Sequence, residues 1–498
     1  MTKALWCGAA LCLAVSGLAA RPFLVVSYNG EHLFDADGKA NLDEYKPETY
    51  TPRHVLTKFQ NAATLLAQFE QGRGPDILIL SELELDLTPP AGPRDYDALF
   101  ARYAGLTLPE MLGPKFDRGI ADLPSEFLLA KALADRGIKD YRLVVADDTV
   151  TSLGGRRIEH KNGVFTRFPV KASRTHPLRD ARAIVEVLVE IDGAPLYVFA
   201  NHWKSGASDP VTEEVRIDNA RTLRARLDEI LRADPHADII LGGDFNSQYN
   251  HRQRNPRMKV TGLNDVLGSQ GNELAVRGRQ RDLYNLWYEL PPAARGSDTY
   301  RGEWGTLMHL IVSRGVYDYR GVQYVDDSFA VAKFPGLNVD AAGLPARWSG
   351  DGPTGGGFSD HLPISARFIT VPDNRTDRWI PLRRASVEDA AAPEARIDYS
   401  GLDFARIEAE TKALPAGASL QAEPFKGRYF RVEGQVAPGS RHAVVFRGET
   451  FDVWSFDEPL RNRLRQEYRE GATLRFYGRL GQFRGRWQFV IEDASWVK

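Results

Sequence analysis

The sequence predicts an α+β protein: a four-layer α/β sandwich of two packed mixed β-sheets flanked by helices, followed by a small all-β barrel. Two observations predict this. Between residues 22 and 371, short β-branched runs that end in polar turns alternate with amphipathic stretches, as strands and helices do in layered folds. After residue 425 the chain carries short strand-like runs and one short helical stretch, which suits a small closed barrel.

Composition narrows the class of protein. With 498 residues, 43% of them hydrophobic, the chain can bury a large core and fill more than one domain. Its formal net charge of −2 gives no general attraction to polyanions, so any nucleic-acid surface has to be a local patch. Both cysteines, Cys7 and Cys12, lie near the N-terminus, so the remainder has neither disulfides nor cysteine-ligated zinc.

Residues 1–20 have the layout of a signal peptide. Lys3 precedes an apolar run, and small residues lead to expected cleavage after Ala19 or Ala20. The alternative is an uncleaved anchor, because the apolar run is just long enough to span a bilayer. We therefore expect an exported protein, periplasmic or extracellular, with no membrane span in the mature chain.

The elements of the first domain, 21–371, follow from periodicity. Apolar residues recur at helical spacing in Arg53–Phe69, Pro124–Asp135 and Val211–Leu231, and Gly72 to Pro75 end the first of these helices. Short apolar runs bounded by turn residues predict strands. These strands are Phe23–Ser27, Asp76–Leu80, Tyr141–Val145, Gly163–Thr166, Ile184–Ile191, Leu196–Ala200, Ala237–Gly242 and Thr306–Ser313.

Composition changes after Val371. An alanine- and proline-containing stretch at 388–395 favours a linker over 372–424. The segment 425–498 then resembles a barrel of the oligonucleotide-binding type, with five strands and one helix. The strands are predicted near Arg428–Val436, His442–Phe446, Thr450–Ser455, Leu474–Leu480 and Trp487–Ile491, and the helix at Leu460–Tyr468.

This last segment is locally basic, with 14 Lys or Arg against 9 Asp or Glu. Aromatic residues alternate with its arginines, an arrangement found where single-stranded nucleic acid stacks on a protein. The same aromatics would equally serve as the barrel core, with the arginines as a solvated rim. The aromatics are Tyr429, Phe430, Phe446, Trp454, Phe476, Tyr477, Phe483 and Trp487, and the arginines are Arg428, Arg431, Arg475, Arg479, Arg484 and Arg486.

Polar side chains follow five of the predicted strands or loops. Asp244 and Asn246 come directly after the run Ala237–Gly242; alone they would read as an ordinary turn, but the other motifs indicate a site. The whole set is Asn29, Glu82, His202, the Asp244 and Asn246 pair, and Asp360 with His361. Hard oxygen ligands suit Mg²⁺, and histidines suit proton transfer. Together they predict metal-assisted attack of water on a phosphoester.

These motifs resemble those of the endonuclease/exonuclease/phosphatase superfamily, which has the DNase I-like fold, and most of all its bacterial secreted nucleases. The resemblance spans roughly residues 22 to 370. Its carrying segments, in order, are Ser27–Asp35, Leu80–Glu82, Asn201–Ser205, Gly243–Asn246 and Ser359–His361. The set is specific for the fold and for metal-dependent phosphoester hydrolysis, and much less specific for the substrate.

The resemblance also implies roles. Glu82, with Asn29 and Asp360, would hold the divalent metal, which we expect to be Mg²⁺, with Mn²⁺ or Ca²⁺ as alternatives. His361 would act as general base or as a phosphate donor, and Asp244 would orient or deprotonate the attacking water. The remaining roles are contacts to the phosphate or its leaving oxygen, by Asn246, His202, Lys204 and Arg182.

The sequence departs from the family at Met308, where the family has an aspartate that hydrogen-bonds the histidine matched by His361. Loss of such an orienting carboxylate costs about 10⁴-fold in the serine-protease triad. Either Asp298 or Glu303 substitutes, or His361 is poorly oriented and turnover is weak. We expect reduced or altered activity.

The leading hypothesis is therefore an exported metal-dependent nuclease acting on DNA or RNA. One alternative is a phosphatase or phosphodiesterase that acts on lipid or small phosphoesters. An alternative of another class is a binding protein on a catalytically weakened nuclease scaffold, which Met308 favours. The sequence leaves the choice of DNA or RNA, of internal or terminal cleavage, and the oligomeric state open.

Overall fold

The computed structural model describes residues 22–87, 94–147, 159–279, 281–386, 395–422, 425–439, 443–483 and 485–498, with the backbone alone at 152–153 and 156–157. The predicted signal peptide, 1–20, lies outside the described residues. Within the described part of the chain, no helix combines the length and apolar character that a membrane crossing requires.

The first sheet contains the N-terminal strand. Phe23–Leu33 pairs in parallel with Ile77–Glu84, and Asn29 lies opposite Ser81. Parallel neighbours end at the same edge of a sheet, so Asn29 and Glu82 meet there. In spatial order the strands are Asp318–Tyr324, Ile364–Trp379, Phe23–Leu33, Ile77–Glu84, His160–Thr166 and Arg142–Val145, with Ala330–Val331 beside the second.

The second sheet places the remaining motif strands side by side. Ile239–Asp244 runs parallel to Ala194–His202, with Asp244 opposite His202. On its other side it runs antiparallel to Met308–Val312, with Asp244 opposite Met308. The spatial order is Ser269–Gln270, Leu283–Asn285, Met308–Val312, Ile239–Asp244, Ala194–His202, Arg182–Ile191 and Val170–His176.

The two sheets pack face to face through one apolar layer. Val25 and Ile79 of the first sheet share this layer with Val198, Ile240 and Leu310 of the second. Gly242 permits the close approach, because a Cβ there would come within 2.5 Å of Ile79 Cδ1. The shared layer accounts for the sandwich that the sequence predicts.

Helices cover both outer faces and complete four layers. Pro52–Leu66 starts at a capping box formed by Thr51 and His54, and packs with Ser125–Asp135 on the first sheet. Asp209 caps Pro210–Ala233 through Val211 N, at 2.8 Å, and this helix covers the second sheet. Shorter α-helices are Tyr96–Arg102, Leu108–Met111, Arg118–Ala121, His251–Arg254, Glu273–Gly278, Phe404–Lys412 and Glu458–Glu467.

The C-terminal segment closes into a five-stranded barrel, as predicted, with Glu458–Glu467 between its third and fourth strands. A small five-stranded barrel of this kind fits the oligonucleotide-binding fold. Its strands are Tyr429–Val436, Ala443–Phe446, Glu449–Trp454, Thr473–Phe483 and Arg486–Val490.

The predicted linker, 372–424, is in part structured. The strand Ile364–Trp379 continues past residue 371 because its end pairs with Asp318–Tyr324. Further on, Tyr399, Leu402 and Leu420 are buried in the same apolar cluster as the barrel core. Residues 387–394, which include most of the alanine- and proline-containing stretch, lie outside the described residues.

The barrel aromatics are mostly core. Trp454 is 39% exposed and Phe483 is 60% exposed, whereas Trp487 is partly buried. The others are buried: Tyr429, Phe430, Phe446, Phe476 and Tyr477. Most of the interleaved arginines form ion pairs, namely Arg428 with Glu410, Arg475 with Glu433, Arg479 with Glu492 and Arg486 with Asp452. Of the two interpretations of this composition, the core interpretation accounts for more of these residues.

Candidate active site

A buried amide joins the two sheets at the centre of the site. Asn29 Nδ2 lies 3.1 Å from Glu82 Oε1 and 3.2 Å from Asp244 Oδ2, and Asn29 is fully buried. Because one amide donates to a carboxylate of each sheet, the packing of the sheets sets the separation of these two acids.

Two histidines flank Asp244. His202 Nε2 lies 3.7 Å from Asp244 Oδ2 and 3.9 Å from Glu82 Oε1. His361 Nε2 lies 3.7 Å from the same Asp244 oxygen. The sequence-predicted residues Asn29, Glu82, His202, Asp244 and His361 therefore form one cluster.

Asp360 occupies a more open position. Its side chain is 38% exposed, and its Oδ2 lies 3.8 Å from Arg347 Nη2. Its backbone N–H donates to Glu31 Oε2 at 2.9 Å, and the other Glu31 oxygen accepts from Arg347 Nε at 2.5 Å. Glu31 thus ties the loop that carries Asp360 to the N-terminal strand.

The predicted phosphate contacts differ in their environment. Arg182 is opposite His202 in the sheet, and its Nε is buried with no hydrogen-bond partner among the described residues. Lys204 Nζ lies 3.3 Å from Ser205 Oγ near the surface. Asn246 adopts a left-handed φ of 47° and donates through Nδ2 to Trp203 O at 3.2 Å, so its amide nitrogen also holds the backbone.

Burial and neighbouring charges shift the pKa values of Glu82 and Asp244 in opposite directions. Burial would raise the pKa of Glu82, but His32, His160, His202 and Arg182 hold that pKa well below its usual range. Burial raises the pKa of Asp244 to about 6, which His361 and the Asn246 N–H oppose. At neutral pH Glu82 is therefore an anion, and Asp244 titrates just below neutrality.

The pKa values of His202 and His361 are shifted in opposite directions. Burial, together with Arg182, lowers the pKa of His202 well below its usual range. Burial would lower the pKa of His361 as well, but Asp360, Asp244 and Asp298 raise it to about 9. His202 is thus neutral and His361 charged near neutral pH. This favours His361 as a donor to phosphate over the alternative role of general base.

The structure adds His32 and His160, which sequence reasoning missed. His32 Nδ1 lies 3.4 Å from Glu82 Oε2 and 2.7 Å from His160 Nε2. These three residues form a group with the spacing of metal ligands, and Asp360 is not a member of it. The four consecutive polar residues 159–162 were the available signal, because three of them open the strand His160–Thr166, but they do not indicate its contact with His32.

Met308 is buried directly beside Asp244 on the neighbouring strand. Correspondingly, His361 Nδ1 is buried with no hydrogen-bond partner among the described residues. Of the two predicted substitutes, Asp298 forms a backbone bridge with His361, whereas Glu303 bridges Arg396. Gly305 leaves room for the Asp298 carboxylate, since a Cβ there would lie 2.0 Å from its Oδ2.

The fold and the site define a phosphoesterase-type protein built on a two-sheet sandwich. Residues 160–370 match the endonuclease/exonuclease/phosphatase family. The search of curated proteins finds no match.

Three solved structures are similar to this chain at low sequence identity. Truncated TDP2 from Caenorhabditis elegans is 15% identical, with 70% of this chain and 98% of that chain covered and a TM-score of 0.37. A family protein from Leptotrichia buccalis is 15% identical, with 69% and 98% covered and a TM-score of 0.39. The human nocturnin catalytic domain with bound sulfate is 13% identical, with 70% and 95% covered and a TM-score of 0.36.

Proposed function

We propose that the protein is an exported, divalent-metal-dependent phosphodiesterase that hydrolyses DNA or RNA. The observation that carries this proposal is the buried network in which Asn29 joins Glu82 and Asp244 between His202 and His361. An ionised carboxylate, a second acid that titrates near neutrality and a charged histidine are what phosphodiester hydrolysis by water needs in one place.

The residues fit a divalent cation. Glu82 is ionised, and its side chain is 14% exposed. Asn29 and Asp360 are the other ligands that the sequence predicts, with Mg²⁺ as the expected ion. A bound divalent ion would supply Lewis-acid polarisation of a phosphate oxygen.

The chain's own groups would act on water and phosphate. Asp244, with a pKa of about 6, orients the attacking water and accepts its proton. His361 is held in its charged form by the surrounding carboxylates and donates a hydrogen bond to the phosphate. Neutral His202, whose Nε2 lies 3.9 Å from Glu82 Oε1, and the partly buried Arg182 would contact the leaving oxygen.

Cleavage of plasmid DNA, single-stranded DNA and RNA by the purified chain, with Mg²⁺ or with EDTA, tests the proposal. We expect cleavage that requires the metal and that Glu82→Gln abolishes. The matched control is Glu214→Gln, which changes an exposed glutamate on the helix Pro210–Ala233 and should leave the rate unchanged.

Other outcomes assign other functions. Cleavage of lipid or small phosphoesters with no cleavage of nucleic acid would replace nuclease by phosphatase or phosphodiesterase. Metal binding with no hydrolysis of any phosphoester would identify a binding protein, the candidate that the buried Met308 beside Asp244 favours.

A further inference from the structure

His32 and His160 face the carboxylate that the proposed function assigns to the metal. The His32 backbone N–H donates to Glu82 Oε2 at 2.9 Å, which fixes that oxygen next to the His32 ring. The ligand atoms of Glu82, His32 and His160 all lie within 4.8 Å of one another. Ligands around one ion at normal bond lengths of about 2.0–2.2 Å are separated by distances within this limit.

We propose that Glu82, His32 and His160 form one metal site with two imidazole nitrogens and one carboxylate, which selects a transition-metal dication such as Mn²⁺, Fe²⁺ or Zn²⁺ over Mg²⁺. Imidazole suits transition metals, whereas Mg²⁺ prefers oxygen ligands. The inference rests on the proposed function, because it keeps Glu82 as the metal ligand. It changes the expected ion and replaces Asp360 by two histidines in the ligand set.

The facing nitrogens of the His32 and His160 rings can both become available to a metal. A contact of 2.7 Å between His32 Nδ1 and His160 Nε2 requires one proton between the nitrogens, since neither lone pair can accept from the other without it. When a dication binds both nitrogens, this proton moves to the other nitrogen of the ring that carries it, and both rings remain neutral.

Backbone strain supports a functional arrangement. His32 has a φ of 63° and Glu82 a φ of 65°, in the left-handed region that such residues rarely adopt. Strained residues of this kind concentrate at functional sites. The His32 side chain is 29% exposed, so the group opens to solvent on one side and an ion can enter.

One charge opposes the cation. Arg182 is partly buried and interacts electrostatically with both Glu82 and His160. A dication therefore has to compete with this guanidinium for the Glu82 carboxylate. Nitrogen ligands from two rings supply binding that a single carboxylate facing an arginine does not, which adds to the selection against Mg²⁺.

Co²⁺ is a suitable probe because its visible absorption reports the number and type of its ligands. We expect the purified full-length chain to bind one Co²⁺ with a spectrum typical of nitrogen ligation, and more tightly than Mg²⁺. His160→Gln and His32→Gln should each weaken Co²⁺ binding by roughly 10–100-fold while changing Mg²⁺ binding little.

His236→Gln is the matched control, because His236 is also paired with a carboxylate, 2.7 Å from Asp318, outside the group. Unchanged Co²⁺ affinity in the His32 and His160 variants would overturn the inference. Circular dichroism checks folding, and the more exposed His32 carries the test if the buried His160 variant does not fold. If the wild-type chain binds Co²⁺ with the expected spectrum but cleaves no nucleic acid, only the proposed function would be overturned.

Discussion

Met308 is the residue at which this chain departs from the family motifs that it resembles, and its neighbours indicate what the departure costs. Directly opposite residues of an antiparallel pair project to the same face of the sheet, so Met308 lies on the same face as Asp244. His361, whose Nε2 lies 3.7 Å from Asp244 Oδ2, has a buried Nδ1 without a hydrogen-bond partner among the described residues. A methionine cannot accept this hydrogen bond well, so the orientation of the ring is less defined.

We expect Met308→Asp to raise kcat, by up to about 10⁴-fold if His361 is the limiting group. The same change should lower the free energy of unfolding, because it buries a carboxylate in an apolar position. Steady-state cleavage and thermal unfolding measure the two effects. Met308→Asn is the control, since it matches the size without the charge and should give a smaller gain.

The interpretation of the Met308→Asp result depends on the role of Asp298. If its charge already serves His361, Asp298→Asn should slow the wild-type enzyme and have less effect in the Met308→Asp background. A folded Met308→Asp variant with the wild-type rate would show that position 308 does not limit turnover.

Single residues at strand ends were the most predictable part of the site. Asn29, Glu82 and Asp244 follow apolar runs that had to be buried strands, and neighbouring strand ends meet at one edge of a sheet. His160 was not predictable in this way, because it begins a strand rather than ending one. Its contact with His32 depends on the pairing of Ile77–Glu84 with His160–Thr166, which no local pattern specifies.

At the scale of elements, the strand Met308–Val312 carries a buried histidine that couples stability to pH. His309 Nδ1 accepts a hydrogen bond from Asn285 Nδ2 at 3.0 Å, and His309 Nε2 donates to Ser247 O at 2.8 Å. Burial lowers its pKa to about 4. Because this value lies below that of the unfolded chain, the stabilisation is complete above about pH 6.5 and is lost as the pH falls towards 4.

We therefore expect the stability advantage of the wild type over His309→Gln to shrink by about 2 kcal/mol between pH 7.5 and pH 5. Denaturant unfolding at the two pH values measures it. Ile311→Val, on the same buried strand, is the control whose difference from wild type should not depend on pH. An equal difference for His309→Gln at both pH values would contradict the prediction.

The boundaries of helices and strands were predicted well where the apolar periodicity is strong. They were predicted poorly where tertiary packing determines the secondary structure. The helix Pro210–Ala233 and the barrel strands lie within a few residues of their predicted positions. The helix Phe404–Lys412 was missed, because only Ile407 and Thr411 of its nine residues are buried. Its partner, the barrel strand Tyr429–Val436, becomes its neighbour only through tertiary contacts such as Arg431 N to Thr411 Oγ1.

At the scale of the whole molecule, the sandwich and the barrel share a core. Leu362, which follows His361, and Trp304 belong to the same apolar cluster as the barrel residues Phe430 and Phe476. Trp304 N also donates to Ala395 O at 2.8 Å. Trp304 lies in the hairpin of Asp298, so the C-terminal segment supports both His361 and the carboxylate beside it.

This packing predicts that the C-terminal segment supports catalysis directly. We expect a chain that ends at Ser386 to lose hydrolysis of a small diester, bis(p-nitrophenyl) phosphate, as well as cleavage of DNA. Leu362→Ala in the full chain should reproduce part of the loss, since truncation of a buried leucine costs about 2–5 kcal/mol. Rates on both substrates and thermal unfolding curves measure these effects.

The small diester distinguishes support from substrate binding, because it is too short to reach a separate nucleic-acid surface. If the barrel served only to bind the DNA strand, the shortened chain would keep its full rate on the diester and would lose only the cleavage of DNA. The buried aromatics and paired arginines of the barrel argue against that outcome. We expect the full chain to unfold in a single thermal transition and the shortened chain to unfold at a lower temperature. This result would show that the sandwich and the barrel stabilise each other.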